Sequence, residues 1–120
     1  MALTREQIFG SKDLGLERQE VPEWPGEDGD PGVVFLRVLS GTDREAMERI
    51  WTETEEKIVP NAREKMLVRT MCDEEGTRLF EDDDIELLAL KNSIALDRLF
   101  RRSMQMNGLS KTSVEDAAKN

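Results

Sequence analysis

The chain has 120 residues, which is long enough for one domain that buries a hydrophobic core. Its 26 acidic and 17 basic residues give a net charge of −9, and it has no histidine or tyrosine; this composition disfavours nucleic-acid binding and removes the commonest general base. Cys72 is the single cysteine and no apolar run reaches signal-peptide or membrane-span length, so we expect a cytosolic protein without disulfides, cofactors or membrane contact.

The N-terminal third predicts a short helix and a β-hairpin. Thr4 and Gln7 have the spacing of a capping box, which starts a helix within residues 1–10 that Gly10 ends. The segments LGLERQEV and VVFLRVL then show the alternation and β-branched content of strands. Residues 12–40 are therefore predicted to form a hairpin.

The hairpin is expected to carry a long mobile loop over residues 22–32. The sequence PEWPGEDGDPG contains three prolines, three glycines and four acids, a composition that buries almost nothing. Its glycines lack the Lys-Ser/Thr pair of a phosphate-binding loop. Trp24 is interpreted either as a contact for a partner or as a lid over the helices, and the sequence leaves both open.

The rest of the chain predicts a helical bundle over residues 42–109. Four helical segments are expected, starting at a capping box over Thr42–Glu45, at Asn61, at Ile85 and at Asn92 or Ser93, where the apolar face changes phase. The second of them is predicted to run from Asn61 to Cys72, and Asn107-Gly108-Leu109 is a helix stop. Residues 110–120 predict a short helix and a frayed tail. The predicted class is α+β, with residues 1–120 in a single domain.

The stretch DEEGTRLFEDDD, residues 73–84, holds seven carboxylates and admits three interpretations. An EF-hand loop with Gly76 at its sixth position would put Met71 first, where a carboxylate is required. A divalent-ion or carboxylate site would use Asp73, Glu74, Asp82 and Asp84. The interpretation that accounts for most residues is a connection between helices, in which Gly76 adopts a positive φ, Leu79 and Phe80 pack on the core, and Asp83 with Glu86 caps a helix.

The sequence predicts no catalytic residue and no metal site. Cys72, in an acidic setting, is expected to be an unreactive or buried thiol. The methionines are interpreted mainly as core residues, with an adaptable groove for a partner helix as the alternative. The residues predicted to contact a partner are Met66, Met71, Leu99 and Met106. From its residues alone, the chain is an acidic α+β interaction protein.

Several segments in order resemble the tail assembly chaperones of long-tailed bacteriophages and prophages. These are LTREQIF, KDLGLERQEVPEW, FLRVLSGTDREAME, LVRTMCDEEGTRLFEDDDIELLALK and ALDRLF with NGLSKTSVEDAAKN. The loop PEWPGEDGDPG is longer than the tight turn typical of that family.

The resemblance implies a non-enzymatic protein of the host cytoplasm, absent from the mature virion. Its partners would be the tape measure protein and the tail tube protein, and a homo-oligomer is a further expectation. The family often makes a second, longer product by a −1 frameshift, and Ala118-Lys119-Asn120 is compatible with a slippery codon run. A structural tail or connector protein is the alternative function.

Overall fold

The structure, a computed structural model, describes residues 1–53 and 59–109, and the predicted short helix and tail at 110–120 lie outside this range. Along the described chain the elements are α1 Arg5–Gly10, β1 Leu16–Val21, β2 Gly32–Arg37, α2 Gly41–Glu53, α3 Ala62–Thr70, β3 Met71–Cys72, a 3₁₀ turn Asp82–Asp84, α4 Ile85–Leu88 and α5 Ser93–Met106. The predicted α+β class is confirmed.

The three strands form one antiparallel sheet in the order β1-β2-β3. The predicted hairpin is present, with Leu16 opposite Arg37 and Val21 opposite Gly32. The sequence prediction missed β3 and extended the preceding helix to Cys72, which is wrong. Helix α3 ends at Thr70, and Met71 and Cys72 instead pair with Leu36 and Phe35 of β2. This long-range pairing overrides the helical preference of the local sequence.

Most predicted helix ends are confirmed by hydrogen bonds. Thr4 and Gln7 form both bonds of the capping box. The Asn92 side chain accepts from the amides of Ile94 and Ala95 at 2.9 and 3.0 Å, which starts α5 at the predicted phase change. At the other end of α5, the Leu109 amide donates to the carbonyl of Met104 at 2.7 Å, as the predicted helix stop requires.

One predicted cap is displaced along the chain. Helix α2 begins at Gly41, because the Ser40 hydroxyl accepts from the Asp43 amide at 3.1 Å. The prediction used Thr42 as the cap, and this is wrong by two residues. Serine and threonine serve this role almost equally well, so a sequence that offers both close together leaves the choice open.

Within the described residues, two groups of buried side chains form the core. The main core joins β1, β2, α3, β3, α4 and α5, through Val21, Leu36, Leu67, Val68, Met71, Leu88, Ala95, Leu96 and Leu99. The second core joins α2, the middle of α3 and the segments that follow β2 and α5, through Leu39, Met47, Met66 and Leu109. Helix α1 belongs to neither core, since every residue from 1 to 11 is exposed.

Candidate functional site

The loop after β1 is the first part of the candidate site, and it is held against the helices. The Trp24 amide donates to the carbonyl of Val21 at 3.0 Å, and the indole packs on the main core. The Arg98 guanidinium of α5 donates to Glu23, which lowers the pKa of the glutamate, and its Nη1 lies 3.0 Å from Oε2. The expectation that this loop buries almost nothing is therefore wrong for its first residues.

Gly32 allows the loop to come this close to the sheet. A β-carbon at position 32 would lie 2.0 Å from the carbonyl oxygen of Trp24, a separation that no real contact shows. The backbone of Trp24 thus occupies the space that any other side chain at position 32 would need. Glycine in a strand often marks such a close approach of backbone.

A groove lies between α4 and the loop after β1 that carries Trp24, which we call the tryptophan loop. Its volume is about 290 Å³, and we call it the Trp24 groove; it is lined by Trp24, Phe80, Asp84, Leu87, Leu88 and Lys91. Leu88 is buried in the main core, whereas Leu87 on the rim is 68% exposed. Two further apolar side chains follow closely in sequence, Leu90 at 80% and Ile94 at 69% exposed.

The acidic stretch 73–84 organises a turn and a helix start. Asp73 accepts from the amides of Glu75 and Thr77 at 2.8 and 3.0 Å, and Gly76 has a φ of +88°. The predicted positive φ at Gly76 is confirmed. Asp84, rather than the predicted Asp83 with Glu86, makes the capping bond, since its carboxylate accepts from the Glu81 amide at 2.8 Å.

The four acids of the alternative ion-binding interpretation have different surroundings. Asp73 closes its own turn and Asp84 caps the 3₁₀ turn. Asp82 accepts from Arg78 at 2.8 Å, and this hydrogen bond lowers the pKa of the carboxyl. Across residues 1–53 and 59–109, no group of three or more Cys, Asp or Glu side chains is placed to hold a metal ion.

A larger cavity of about 710 Å³ lies beside this stretch and is lined partly by Arg37 and Arg78. Both arginines already serve the fold. Arg37 donates to the carbonyls of Arg69 and Gly76 and to Asp43, and Arg78 donates to the carbonyl of Val68 at 2.7 Å. Because these donors hold the turn after β3 in place, we assign the cavity no ligand.

The structure places most of the predicted partner-binding residues inside the protein. Met66, Met71 and Leu99 are 0%, 1% and 1% exposed, and Met106 is partly buried against the main core. In the described structure, the first three offer no surface to a partner. Their role in partner binding stays a prediction, and the favoured interpretation of the methionines as core residues is confirmed for Met66 and Met71.

Cys72 is completely buried, as predicted. Its thiol lies 3.5 Å from the carbonyl oxygen of Phe35, and burial raises the pKa of the thiol.

Sequence reasoning missed the groove because its walls come from distant segments. Phe80 was expected to pack on the core, and it does, but Leu79 beside it is 47% exposed. The available signal was Trp24 itself, a large aromatic residue between two prolines. Leu87 carried no distinguishing signal, since it lies in a run of leucines whose exposed members the pattern does not reveal.

Comparison with known families gives the context for this surface. The family model described as phage tail assembly chaperone matches residues 2–120. The chain belongs to the phage tail assembly chaperone family. The family name describes a role in assembly and not a reaction.

A solved tail assembly chaperone has the same fold. The structure of the bacteriophage HK97 tail assembly chaperone superposes with a TM-score of 0.57 at 19% sequence identity, over 83% of this chain and 89% of that chain. A search of curated proteins found no match. Within the residues that the structure describes, no helix has the length and hydropathy needed to cross a membrane.

Proposed function

We propose that this tail assembly chaperone acts without catalysis by binding the tape measure protein of its phage and assisting assembly of the tail tube. The observation that carries the proposal is the family match over residues 2–120. The exposed apolar side chain of Leu87 at the Trp24 groove, with Leu90 exposed three residues later, supports it, because exposed apolar patches mark interaction sites. The net charge of −9 favours solubility of a complex with an apolar partner.

Co-expression tests this function. The tape measure protein encoded by the same phage is produced alone, with this chaperone, and with an unrelated acidic protein of similar size. We expect the tape measure protein to be soluble with the chaperone and to co-purify with it, and to be insoluble in the other two cultures. Equal insolubility in all three would contradict tape measure binding.

Transient action in the host cytoplasm is the second element of the proposal. A chaperone leaves the finished particle, so mass spectrometry of purified virions should detect the tube protein and the tape measure protein but not this chain. Its presence in amounts comparable to those proteins would favour the alternative of a structural tail or connector protein.

A longer, frameshifted product is the third element. The gene tests it directly: the codons for Ala118-Lys119-Asn120 should form a slippery heptamer, followed by an open −1 frame. A codon for Ala118 that does not end in A would contradict it.

A further inference from the structure

We infer that the Trp24 groove is the docking site of a partner helix that has apolar side chains on one face and Lys or Arg beside them. The inference rests on the proposed function, in which this helix belongs to the tape measure protein. It goes further by naming the surface that binds the helix and the charge that the helix carries.

The apolar part of the groove is preformed in the unbound protein. Leu88 belongs to the main core and Phe80 packs on it, so the base of the groove is held by the core. Leu87 lines the groove and is exposed to solvent. Trp24 forms the facing wall and is held by its packing on the main core and by the hydrogen bond from its amide to the carbonyl of Val21. A preformed apolar groove avoids the cost of ordering it on binding.

The position and lining of the groove favour a helix over an extended peptide. The lining consists of side chains from a loop, from α4 and from the segments flanking α4, and not of a strand edge that would accept an extended peptide. Grooves of this kind take the apolar side chains that a helix presents at positions i, i+3, i+4 and i+7.

The charge around the groove determines which helix fits. The lining itself is balanced in charge, with one acid, Asp84, and one base, Lys91. The adjoining 3₁₀ turn and α4 add the exposed acids Glu81, Asp83 and Glu86, which make this part of the chain negative. Complementary charge therefore favours Lys or Arg on the partner helix.

The positive charge near the opposite wall is already neutralised. Arg98 is paired with Glu23, whose carboxylate accepts from both terminal nitrogens of the guanidinium. A second copy of this chain is a poorer occupant, since each copy carries a net charge of −9 and like charges repel.

Two synthetic helical peptides of roughly 18 residues, about five turns, provide the first test. Both carry Leu at i, i+3, i+4 and i+7, and they differ only in having Lys or Glu at the flanking positions. Calorimetric titration into the full chain should give a dissociation constant about tenfold lower for the Lys peptide, with the difference shrinking as salt is added. Equal affinity for the two peptides would overturn the inference.

A matched pair of substitutions locates the site. Leu87 and Leu3 are both 68% exposed, so Leu87→Gln and Leu3→Gln make the same chemical change at equal exposure. Leu87→Gln should weaken binding of the Lys peptide about tenfold, and Leu3→Gln by less than about twofold. Glu86→Lys should weaken binding of the Lys peptide and strengthen binding of the Glu peptide. Equal losses for Leu87→Gln and Leu3→Gln would contradict docking in the groove.

Two further outcomes separate this inference from its alternatives. If Leu87→Gln changes the mass of the protein in solution and leaves peptide binding unchanged, the occupant is a second copy and the inference is wrong. If both the Leu87→Gln and Glu86→Lys variants keep the tape measure protein as soluble as the wild type does, the groove is not the site although the proposed function stands. Failure of the wild type in that co-expression would instead count against the proposed function.

Discussion

Single residues hold the segments of this protein together across long sequence separations. Asn107 at the end of α5 is one example: its side chain accepts from the Leu39 amide at 2.7 Å and donates to the Ser103 carbonyl at 2.9 Å. Thr70 and Ser103 share a second buried hydrogen bond at 3.0 Å. A buried polar group that loses its partner is costly, so these contacts fix how α5 lies against β2 and α3.

Gly32→Ala is predicted to destabilise the protein and displace the tryptophan loop. The added β-carbon would meet the Trp24 carbonyl oxygen, and relief requires the loop to move away from the sheet. We expect a loss of about 1–3 kcal/mol in the free energy of unfolding, measured by urea denaturation. Gly41→Ala is the control, since a β-carbon there meets nothing within 4 Å. Equal stability of the two variants would show that the loop has another way to pack.

The Glu17–Arg102 ion pair predicts how stability depends on pH. Arg102 Nε donates to Glu17 Oε1 at 2.6 Å, and this bonding lowers the pKa of the glutamate from its ordinary 4.5. Because the pKa is lowered in the folded state, the contribution is fully present above about pH 4.5 and is lost as the pH falls through the folded-state pKa.

Comparison with Glu17→Gln isolates this effect. The variant should be less stable than the wild type at neutral pH, and the difference in the free energy of unfolding should shrink as the solution is acidified. Urea denaturation between neutral and acidic pH measures it, with Glu74→Gln, at an exposed position, as the control. A difference that stays constant down to low pH would contradict the assignment.

At the level of elements, α1 differs from the other helices because it contributes no buried residue. Its capping box and the packing of Arg5 over the Phe9 ring, 4.7 Å from the centroid, are contacts within the segment itself. Leu3, Ile8 and Phe9 are 68%, 52% and 72% exposed. The helix therefore adds little to the stability of the cores.

Removal of residues 1–10 tests that conclusion. We expect the free energy of unfolding to change by less than about 0.5 kcal/mol, because no core contact is lost. Thermal and urea denaturation of the truncated and full chains provide the comparison. A marked loss of stability would mean that α1 packs on the rest of the protein in solution.

For the whole molecule, burial of Cys72 links its reactivity to global unfolding. The residue lies in β3, its neighbours Phe35 and Arg78 flank it in the sheet, and its thiol is 0% exposed. A thiol in this position reaches solvent only when the sheet and the main core open together.

The reaction of Cys72 with an aromatic disulfide reagent should therefore follow unfolding. We expect slow labelling in native buffer, and a rate that rises with urea in parallel with loss of the circular dichroism signal. A fully unfolded sample gives the reference rate. Rapid labelling under native conditions would reveal local opening around β3 that does not require unfolding.

The sequence by itself determined the features that depend on neighbours within a few residues. The capping box of Thr4 and Gln7, the positive φ of Gly76, the new helix at Asn92 and the turn that returns Leu109 to Met104 were all predictable. The alternating and helical spacing of apolar residues also predicted the hairpin and most helices. Each of these depends on a hydrogen bond or a periodicity that the local chain contains completely.

Only the tertiary structure decided which apolar residues are inside and where the Trp24 groove lies. Met71 looked like the end of a helix, yet pairing with Leu36 makes it part of a strand. The sequence allowed Trp24 to be a partner contact or a lid over the helices, and the structure places it against the main core, with Glu23 beside Arg98, 75 residues away. Contacts between distant segments set these outcomes, and a leucine such as Leu87 has the same local pattern whether it faces the core or solvent.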